Sequence, residues 1–408
     1  MRKPELLVPA SSLEVLKIAT VFGADAIYIG GEAFGLRAKA RNFSKEEMAQ
    51  GIAFAHEHGV KVYVTVNILA HNYDLAGVRE YLKELKELKP DALIIADPGI
   101  FTYAKEICPE IERHISTQAN NTNYETYRFW YKLGAKRVVT ARELSLEEIR
   151  QIRANIPDDM EIETFIHGAM CISYSGRCLL SNFLVGRDAN QGSCTHPCRW
   201  KYSIVEESRP GEYMPVYENE RGTYIFNSKD LCMIEHMDDI LTSGIDSLKI
   251  EGRMKTALYV ATVARTYRKA IDDYLEDPAK YQANMSWYQE QIAGCTYRKF
   301  TTGFFYGKPS EEAQIYDNNT YEKGYTYLGF AEAVDERGYV QITQRNKFTV
   351  GEMIEIMKPD GTNLLVPVKA IYDEEGNSVE SAPHPQQVLF IDLDGQAEPY
   401  DILRKRED

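Results

Sequence analysis

Residues 163–181 read E-T-F-I-H-G-A-M-C-I-S-Y-S-G-R-C-L-L-S, and this stretch decides how the chain is organised. It begins as an apolar, strand-like segment and continues into a glycine-punctuated turn that carries Cys171 and Cys178. A second pair, Cys194 and Cys198, follows in the segment G-S-C-T-H-P-C-R-W. Four of the seven cysteines therefore fall within 28 residues, next to the end of a predicted strand.

Clustered thiols in a protein are ordinary core residues, disulfide partners, or ligands of a metal ion or an iron–sulfur cluster. The neighbours are Gly, Ser, Arg and Asn, which does not favour an apolar core. The N-terminus has no apolar run typical of a secretory signal, so we expect a cytoplasmic protein without disulfides. The cysteines are separated by six, fifteen and three residues. This spacing differs from the two C-x₂-C pairs of most zinc sites and favours an iron–sulfur cluster.

Composition places the chain among soluble globular proteins. The 408 residues are 44% hydrophobic and 26% charged, and no stretch of 18 apolar residues predicts a membrane span. The net charge of −14 argues against a nucleic-acid partner, but it is unevenly distributed. Residues 309–408 carry −11, whereas residues 171–205 carry +3. A local basic zone of this kind can hold phosphate.

Short apolar runs alternate with helical patterns over the first 275 residues. Capping boxes at Ser44/Glu47 and Ser145/Glu148 mark two of the helix starts. We expect strands at residues 6–8, 26–29, 62–66, 92–95, 114–117, 137–140, 162–166 and 246–250, each followed by a helix. Eight such repeats predict an α/β fold, a TIM-like (β/α)₈ barrel over residues 1–275. A doubly wound sheet is the alternative, although no G-x-G-x-x-G follows the first strand.

The alternation of strands and helices is interrupted once by an insertion. After residue 275 it is replaced by a linker and a run of short strands. Residues 169–228 form an insertion after strand 7, and this insertion carries the cysteine cluster. Residues 276–301 are predicted to be a helical linker. Residues 302–408 show short alternating runs separated by turn signals, which predict a small all-β barrel as the C-terminal domain.

Active sites of such barrels lie at the C-terminal ends of the strands. The loop after strand 2 adds three cations at alternate positions, which suit a carboxylate or a phosphate. The candidate catalytic residues are His167, Glu163, Asp97 and Glu251. The candidate substrate-binding residues are Arg37, Lys39, Arg41, Asn67, Gln118, Arg142 and Arg253.

Hydrolase motifs are absent from the sequence: it contains no G-x-S-x-G and no H-E-x-x-H. A thiol–imidazole dyad of Cys171 and His167 is the strongest peptidase argument that the residues allow. That dyad leaves Cys178, Cys194 and Cys198 without a role.

Taken together, several motifs resemble the peptidase U32 family. The pattern E-x-F-x-x-G-A-M-C-x₄-G-x-C-x-L-S at residues 163–181 resembles the signature of that family. So do the opening P-E-L-L-V-P-A, the segment A-D-A-I-Y-I-G-G and the segment S-L-K-I-E-G-R. The resemblance extends over residues 4–275 and continues into the C-terminal domain, which resembles the accessory domain of the family.

The resemblance implies oxygen-independent hydroxylation, although the family also carries a protease label. Some members hydroxylate tRNA wobble uridine, ribosomal RNA or the ubiquinone ring. These members are associated with a [4Fe–4S] cluster held by four cysteines and with prephenate as a required metabolite. The chain is most similar to members that form 5-hydroxyuridine in tRNA, which makes tRNA the expected partner. Carried over, the cluster ligands are Cys171, Cys178, Cys194 and Cys198, with Cys232 as the alternative fourth ligand. Cys198 is favoured because Cys232 is expected in a capped helical run at residues 228–234, where a role in the core suffices. A peptidase and a non-catalytic partner of a paralogous U32 protein are the other hypotheses.

Overall fold

The computed structural model describes residues 3–35, 42–171, 173–200, 204–205, 213–214, 228–295, 299–309 and 324–407. These residues form two compact units. The first holds residues 3–20, 24–255 and 299–309, and the second holds residues 21–23, 256–295 and 324–407. The domain limits expected at residues 275 and 301 stay a prediction.

Eight parallel strands of the first unit close into a barrel. The strands of this unit are β1 Glu5–Pro9, β2 Ala26–Ile29, β3 Lys61–Val66, β4 Ala92–Ile95, β5 Glu112–Ile115, β6 Arg137–Val139, β7 Glu161–Ala169, β8 Ile204–Val205, β9 Tyr213–Met214, β10 Asp230–Cys232, β11 Ser247–Ile250 and β12 Phe300–Thr301. Strands β1 to β7 pair in chain order, and β11 closes the ring by pairing with both β7 and β1. The predicted (β/α)₈ barrel is confirmed.

Helices follow the barrel strands, and two of them begin at the predicted capping boxes. The helices are α1 Leu13–Val21, α2 Lys45–Glu57, α3 Leu75–Leu88, α4 Pro98–Ile107, α5 Tyr124–Leu133, α6 Leu146–Ala154, α7 Leu180–Val185 and α8 Met237–Leu241. The Ser44 side chain accepts from the Glu47 N–H, and Glu47 bonds back to the Ser44 N–H. Ser145 and Glu148 form the same box before α6. Each box satisfies two of the N–H groups that a helix start leaves unpaired.

Three aspartates tie neighbouring strands together where the strands begin. Asp25, Asp91 and Asp246 each stand just before a strand, β2, β4 and β11 respectively. Each carboxylate accepts a backbone N–H from an adjacent strand, which would otherwise be a buried, unpaired donor. The donors are Leu6, Val62 and Ile162, at 2.8, 2.7 and 2.9 Å respectively.

An insertion follows β7 and carries the clustered cysteines. Strand β7 is longer than its neighbours, and β10 runs antiparallel to its last residues. Gly168 has φ +107°, and a Cβ there would lie 2.5 Å from the carbonyl oxygen of Glu251. Glycine is therefore required where the ends of β7 and β11 meet.

One local prediction was wrong. The sequence around Cys232 suggested a capped helical run, but residues 230–232 form strand β10. Cys232 lies opposite His167 in this pairing and is buried. The antiparallel partner offered by the end of β7 decides the conformation, because tertiary pairing overrides weak helix propensity.

The second unit joins helices to an all-β region, as the sequence predicted for the C-terminal part. Its elements are α9 Ala257–Glu276, α10 Pro278–Ala283, α11 Met285–Ala293, β13 Tyr325–Phe330, β14 Ala333–Val334, β15 Val340–Thr343, β16 Met353–Met357, β17 Asn363–Pro367, β18 Ala370–Tyr372, β19 Ser378–Val379, β20 Val388–Asp392 and β21 Ile402–Arg406. The strands form two antiparallel sheets, in the orders β13-β21-β16-β17 and β14-β15-β20-β18-β19. Both sheets contribute side chains to one apolar core. None of the described helices has the length and apolar character needed to cross a membrane.

Charged side chains fill the interior of the barrel at its β1, β6, β7 and β11 strands. Arg137 contacts Glu5 and Glu161, each at 2.6 Å, and Glu163 at 3.2 Å. Lys249 contacts the other oxygen of Glu163 at 2.7 Å. Removing one member would leave buried charges without compensation, which is strongly destabilising.

We expect Glu5→Gln to destabilise the protein by about 3 kcal/mol at pH 7. Burial opposes ionisation of Glu5, but Arg137 outweighs it and lowers the pKa of the carboxyl from 4.5 to about 2. The wild type should therefore lose this stabilisation as the pH falls from about 5 to about 2. Urea unfolding at several pH values measures the effect. The exposed control Glu80→Gln should behave like the wild type, and equal pH dependence of all three proteins would contradict the prediction.

Candidate active site

Four cysteines line one cavity in the first unit. Cys171, Cys178, Cys194 and Cys198 surround a space of about 150 Å³. Among the described residues, which include all seven cysteines, no disulfide is present. The other side chains that line this cavity include those of Gln118, Arg142, Met170, Ser175, His196 and Pro197.

Local hydrogen bonds bring the two cysteine pairs of the insertion together. Cys171 follows β7, and Cys178 stands just before α7. The Ser181 hydroxyl accepts from the Thr195 N–H at 3.1 Å and so joins α7 to the segment of the second pair. These contacts bring cysteines that are separated by fifteen residues of sequence to the same cavity.

His196 places a backbone donor on a cysteine sulfur. Its φ of +55° is unusual for a residue with a side chain, and such conformations concentrate at functional sites. In this conformation the His196 N–H donates to the Cys194 Sγ at 3.4 Å. Hydrogen bonds to ligand sulfurs are one way in which proteins tune iron–sulfur sites.

The loop between Cys171 and Cys178 is fixed to the end of the barrel. Asn120, after β5, donates to the Ser175 carbonyl at 3.1 Å and accepts from the Arg177 Nε at 2.6 Å. Gly176 has φ +74°, and a Cβ there would lie 2.7 Å from the Gln118 Oε1. The loop therefore depends on Asn120 for hydrogen bonds and on a glycine for close approach.

The chemistry of the donor set fits an iron–sulfur cluster, because four thiols line one cavity. Among the described residues, no group of three or more His, Cys, Asp and Glu side chains is arranged to hold a single metal ion. Four thiols nevertheless share one cavity, which is what four separate iron atoms require. Cys232 is not among the described residues that line this cavity, whereas Cys198 is.

A second cavity of about 90 Å³ opens at the C-terminal ends of the barrel strands. Arg142, Lys249, Arg253 and Glu251 supply its charged groups. Gln118 and Arg142 line this cavity and the cysteine cavity alike, so the two spaces adjoin. The remaining lining residues are Tyr28, Thr65, Asn67, Ile94, Ser116, Thr117 and Phe165.

Two of these cations are held firmly. Lys249 lies 4.4 Å from the Tyr28 ring centroid, and burial lowers its pKa while Glu163 opposes the shift. Arg253 donates to the Thr65 Oγ1 at 2.7 Å. A Cβ on Gly30 would lie 2.7 Å from the Arg253 Nη1, so glycine at the end of β2 makes room for the guanidinium.

The structure brings together five of the predicted site residues. Asn67, Gln118, Arg142, Glu251 and Arg253 all line the barrel-mouth cavity. The predicted catalytic residues Asp97 and Glu163 are not among the described lining residues. Asp97 caps α4 by accepting from two backbone N–H groups, and Glu163 is fully buried in the ion network. Arg37, Lys39 and Arg41 lie outside the described residues.

His167 and Cys171 stand in different environments. His167 is 1% exposed and packs against the Phe300 ring, with 5.8 Å between ring centroids, whereas Cys171 is exposed. Burial lowers the pKa of His167 to about 3, with Lys255 acting in the same direction. An imidazole that resists protonation this strongly is a poor general base for a thiol.

Lys249, Asn120 and His196 were not among the predicted site residues. Lys249 carried a usable signal, because a lysine within the apolar strand segment S-L-K-I needs a partner in the barrel interior. Asn120 carried a signal too, as a polar residue just after the predicted strand 5. His196 carried none, because its role depends on a left-handed backbone conformation.

We expect Asn120→Ala to loosen the cysteine loop without unfolding the barrel. The variant removes three side-chain hydrogen bonds, two of them to the cysteine loop, and places alanine at φ +53°, which asparagine tolerates better. Hydrogen–deuterium exchange at residues 173–178 should become at least about tenfold faster, the equivalent of roughly 1.4 kcal/mol. Asn123→Ala, which removes the α5 cap, is the matched control. Unchanged exchange in both variants would show that Asn120 does not hold the loop.

Comparisons with known proteins identify the family to which the chain is related. Residues 11–315 match the model of peptidase family U32, and residues 323–404 match the model of its C-terminal domain. The chain is 42% identical over 405 residues to tRNA hydroxylation protein P1 of Bacillus subtilis, covering 99% of this chain and 95% of that protein. It is 39% identical to tRNA hydroxylation protein P of Escherichia coli, covering 96% and 94% respectively.

Two further similarities have lower coverage or identity. The Escherichia coli 23S rRNA 5-hydroxycytidine C2501 synthase is 37% identical over 273 residues, covering 67% of this chain and 40% of that protein. A solved structure of a U32 peptidase has 16% identity and a TM-score of 0.40, covering 61% of this chain and 93% of that one. On the family models and the near full-length relatives, the chain belongs to the peptidase U32 family.

Proposed function

We propose that this protein is an RNA-modifying hydroxylase that converts the wobble uridine of tRNA to 5-hydroxyuridine. The names of two near full-length relatives, which refer to tRNA hydroxylation, support the proposal. A third relative is named as an RNA 5-hydroxycytidine synthase, so hydroxylation of a pyrimidine in RNA is common to these names.

One structural observation carries the proposal. The cavity lined by four cysteines adjoins the mouth of the barrel, and Gln118 and Arg142 line both. Barrel enzymes perform their chemistry at this end of the strands. A redox centre bound by the cysteines would therefore stand next to the space where a substrate enters.

We further propose a [4Fe–4S] cluster held by Cys171, Cys178, Cys194 and Cys198, with prephenate as co-substrate and no requirement for oxygen. When bound, such a cluster supplies electron transfer at the edge of the barrel mouth. The resemblance to oxygen-independent hydroxylases of this family supports this finer proposal. The shared cavity and the His196 N–H on Cys194 are consistent with it.

The protein's own residues orient the reactants. Asn120 holds the loop of the first cysteine pair, and Arg142 donates to the Ala169 carbonyl at 2.6 Å while lying 4.0 Å from the Phe165 ring centroid. Lys249 is fixed by Glu163 at the barrel interior. These contacts hold the charged groups in place before a substrate binds, which lowers the cost of ordering them.

The surface beside the cysteines has features that suit an unpaired RNA segment. Tyr174 and Trp200 are exposed, and so is the α7 residue Phe183, at 84%. Arg177 adds an exposed positive charge. Single-stranded RNA is recognised by stacking of bases on aromatic side chains and by cations on phosphates. We propose this surface of the insertion as the place where the tRNA loop binds.

The peptidase hypothesis has no support from the geometry. A Cys171 nucleophile would need His167 as base, and that imidazole is buried beside Phe300 with a strongly lowered pKa. The dyad would also leave the other three cysteines of the cavity unexplained. A paralogous U32 partner stays a prediction.

We expect protein purified without oxygen to contain about four iron and four sulfide per chain. Serine at Cys171, Cys178, Cys194 or Cys198 should remove most of this iron, because each of these thiolates would be a ligand of the cluster. Cys232→Ser is the matched control and should retain it. Zinc in place of iron, or loss of iron only with Cys232→Ser, would contradict the proposed ligand set.

We expect a strain that lacks the gene and any paralogue to lose 5-hydroxyuridine-derived nucleosides from its tRNA. Mass spectrometry of digested tRNA measures this loss. The wild-type gene should restore the nucleosides, Cys194→Ser should not, and Cys108→Ser should restore them because Cys108 is buried away from the site in α4's C-terminal turn. Unchanged nucleosides in the deletion strain would rule out the proposed function.

A further inference from the structure

The loop after β3 carries two exposed aromatic rings that stack on each other. The centroids of the His71 and Tyr73 rings lie 5.3 Å apart, and the ring planes differ by 9°. Tyr73 is 77% exposed, and His71 is exposed as well. A single exposed aromatic side chain is ordinary, but two nearly parallel rings form a flat surface that can receive a third ring.

A turn holds this aromatic pair in place before α3 begins. The His71 N–H donates to the Asp74 Oδ2 at 2.8 Å, and the Asp74 N–H donates to the His71 carbonyl at 2.9 Å. These two bonds close the turn over residues 71–74. The rings are therefore positioned before a ligand binds, which lowers the entropy cost of stacking on them.

The pair belongs to the end of the barrel that carries both cavities. Its loop starts at Asn67, which lines the barrel-mouth cavity. The Leu69 carbonyl accepts from the Gln191 side chain at 2.7 Å, and the Leu69 N–H donates to the Asn190 carbonyl at 3.4 Å. The first ring, that of His71, is thus two residues from a contact with the segment that carries the cysteines.

The chemistry of the pair favours a nucleobase. Both rings offer a π face for stacking, and every base has a π face of its own. The other residues of the turn, Asn72 and Asp74, are polar, which does not favour an apolar protein-binding surface. The negative charge of Asp74 also opposes a phosphate at this point. The ring faces, and not charges, therefore supply the contact.

We propose that His71 and Tyr73 form a stacking site for an unpaired base that neighbours the modified nucleotide in the RNA. The inference rests on the proposed function, because it takes RNA as the substrate. The pair positions the RNA and takes no part in the chemistry. Together with Tyr174 and Trp200 of the insertion, it gives the RNA loop contacts on two separate segments of the chain. Because every base has a π face, the site should accept any base.

Binding of a fluorescein-labelled tRNA anticodon stem-loop to the anaerobically purified full chain tests this site, with fluorescence anisotropy as the measurement. Tyr73→Ala should weaken binding by about tenfold, the order of effect of losing one base–aromatic stack. Tyr73→Trp should bind at least as tightly as the wild type. Tyr73→Leu keeps an apolar side chain without a ring and should bind like Tyr73→Ala. Phe129→Ala is the matched control, because Phe129 is 54% exposed on α5, outside the barrel, and should not contact the RNA.

Abasic nucleotides distinguish stacking from an indirect effect on the fold. Removing one base at a time from the single-stranded loop should identify a position beside the target where binding to the wild type weakens by about tenfold. At that position the RNA change and Tyr73→Ala should not add, because both remove the same contact. The salt dependence of binding should be equal in the wild type and Tyr73→Ala, since no phosphate contact is lost. Thermal melting checks that each variant is folded.

Four results would overturn the site. They are no binding of the stem-loop to the wild type, equal affinity of Tyr73→Ala and Phe129→Ala, additive effects of Tyr73→Ala and every abasic substitution, and a weaker salt dependence in Tyr73→Ala. Normal RNA binding by Tyr73→Ala together with the loss of a co-purifying protein would assign the pair to a protein partner and would also overturn it.

Failure of this site and failure of the proposed function give different results. Unchanged 5-hydroxyuridine-derived nucleosides in the deletion strain, with stem-loop binding that depends on Tyr73, would reject the proposed modification and retain an RNA-binding site. Loss of the nucleosides in that strain, with equal stem-loop binding by Tyr73→Ala and the wild type, would reject only the stacking site.

Discussion

The contact of Arg137 with three carboxylates inside the barrel is the constraint on which the first unit depends. Its guanidinium joins Glu5 on β1 to Glu161 and Glu163 on β7, so it links strands that come together only when the ring closes. Most barrels of this class are filled by branched apolar side chains. Here each buried charge is compensated by the others. Only the closed barrel brings all of these charges together.

This network also determines which charged side chain of the barrel interior faces the barrel mouth. Glu163 uses one oxygen for Arg137 and the other for Lys249, and so holds the lysine at the boundary between the packed interior and the open cavity. Residues that the sequence nominated for catalysis or binding thus divide into two groups. Glu163 organises charges from within, whereas Glu251, Gln118 and Arg142 face the cavities themselves.

The insertion adds a second chemical environment to the same end of the barrel. The described segments of the insertion contain only short helices and strands. Hydrogen bonds join them to the loops after β3 and β5, including that of the Gln191 side chain to the Leu69 carbonyl. Such bonds fix the positions of the cysteines without burying a large apolar core. Under the proposed function, such a site would hold a cofactor beside a substrate without displacing packed side chains.

The sequence by itself determined the alternation of strands and helices, both capping boxes, the insertion after β7 and the identity of the clustered cysteines. These depend on local signals: apolar periodicity, caps and thiol spacing. It did not determine the strand at Cys232, the charged filling of the barrel or the sharing of Gln118 and Arg142 by two cavities. Those features arise from contacts between residues distant in sequence, such as the 132 positions between Glu5 and Arg137, and only closure of the barrel brings them together.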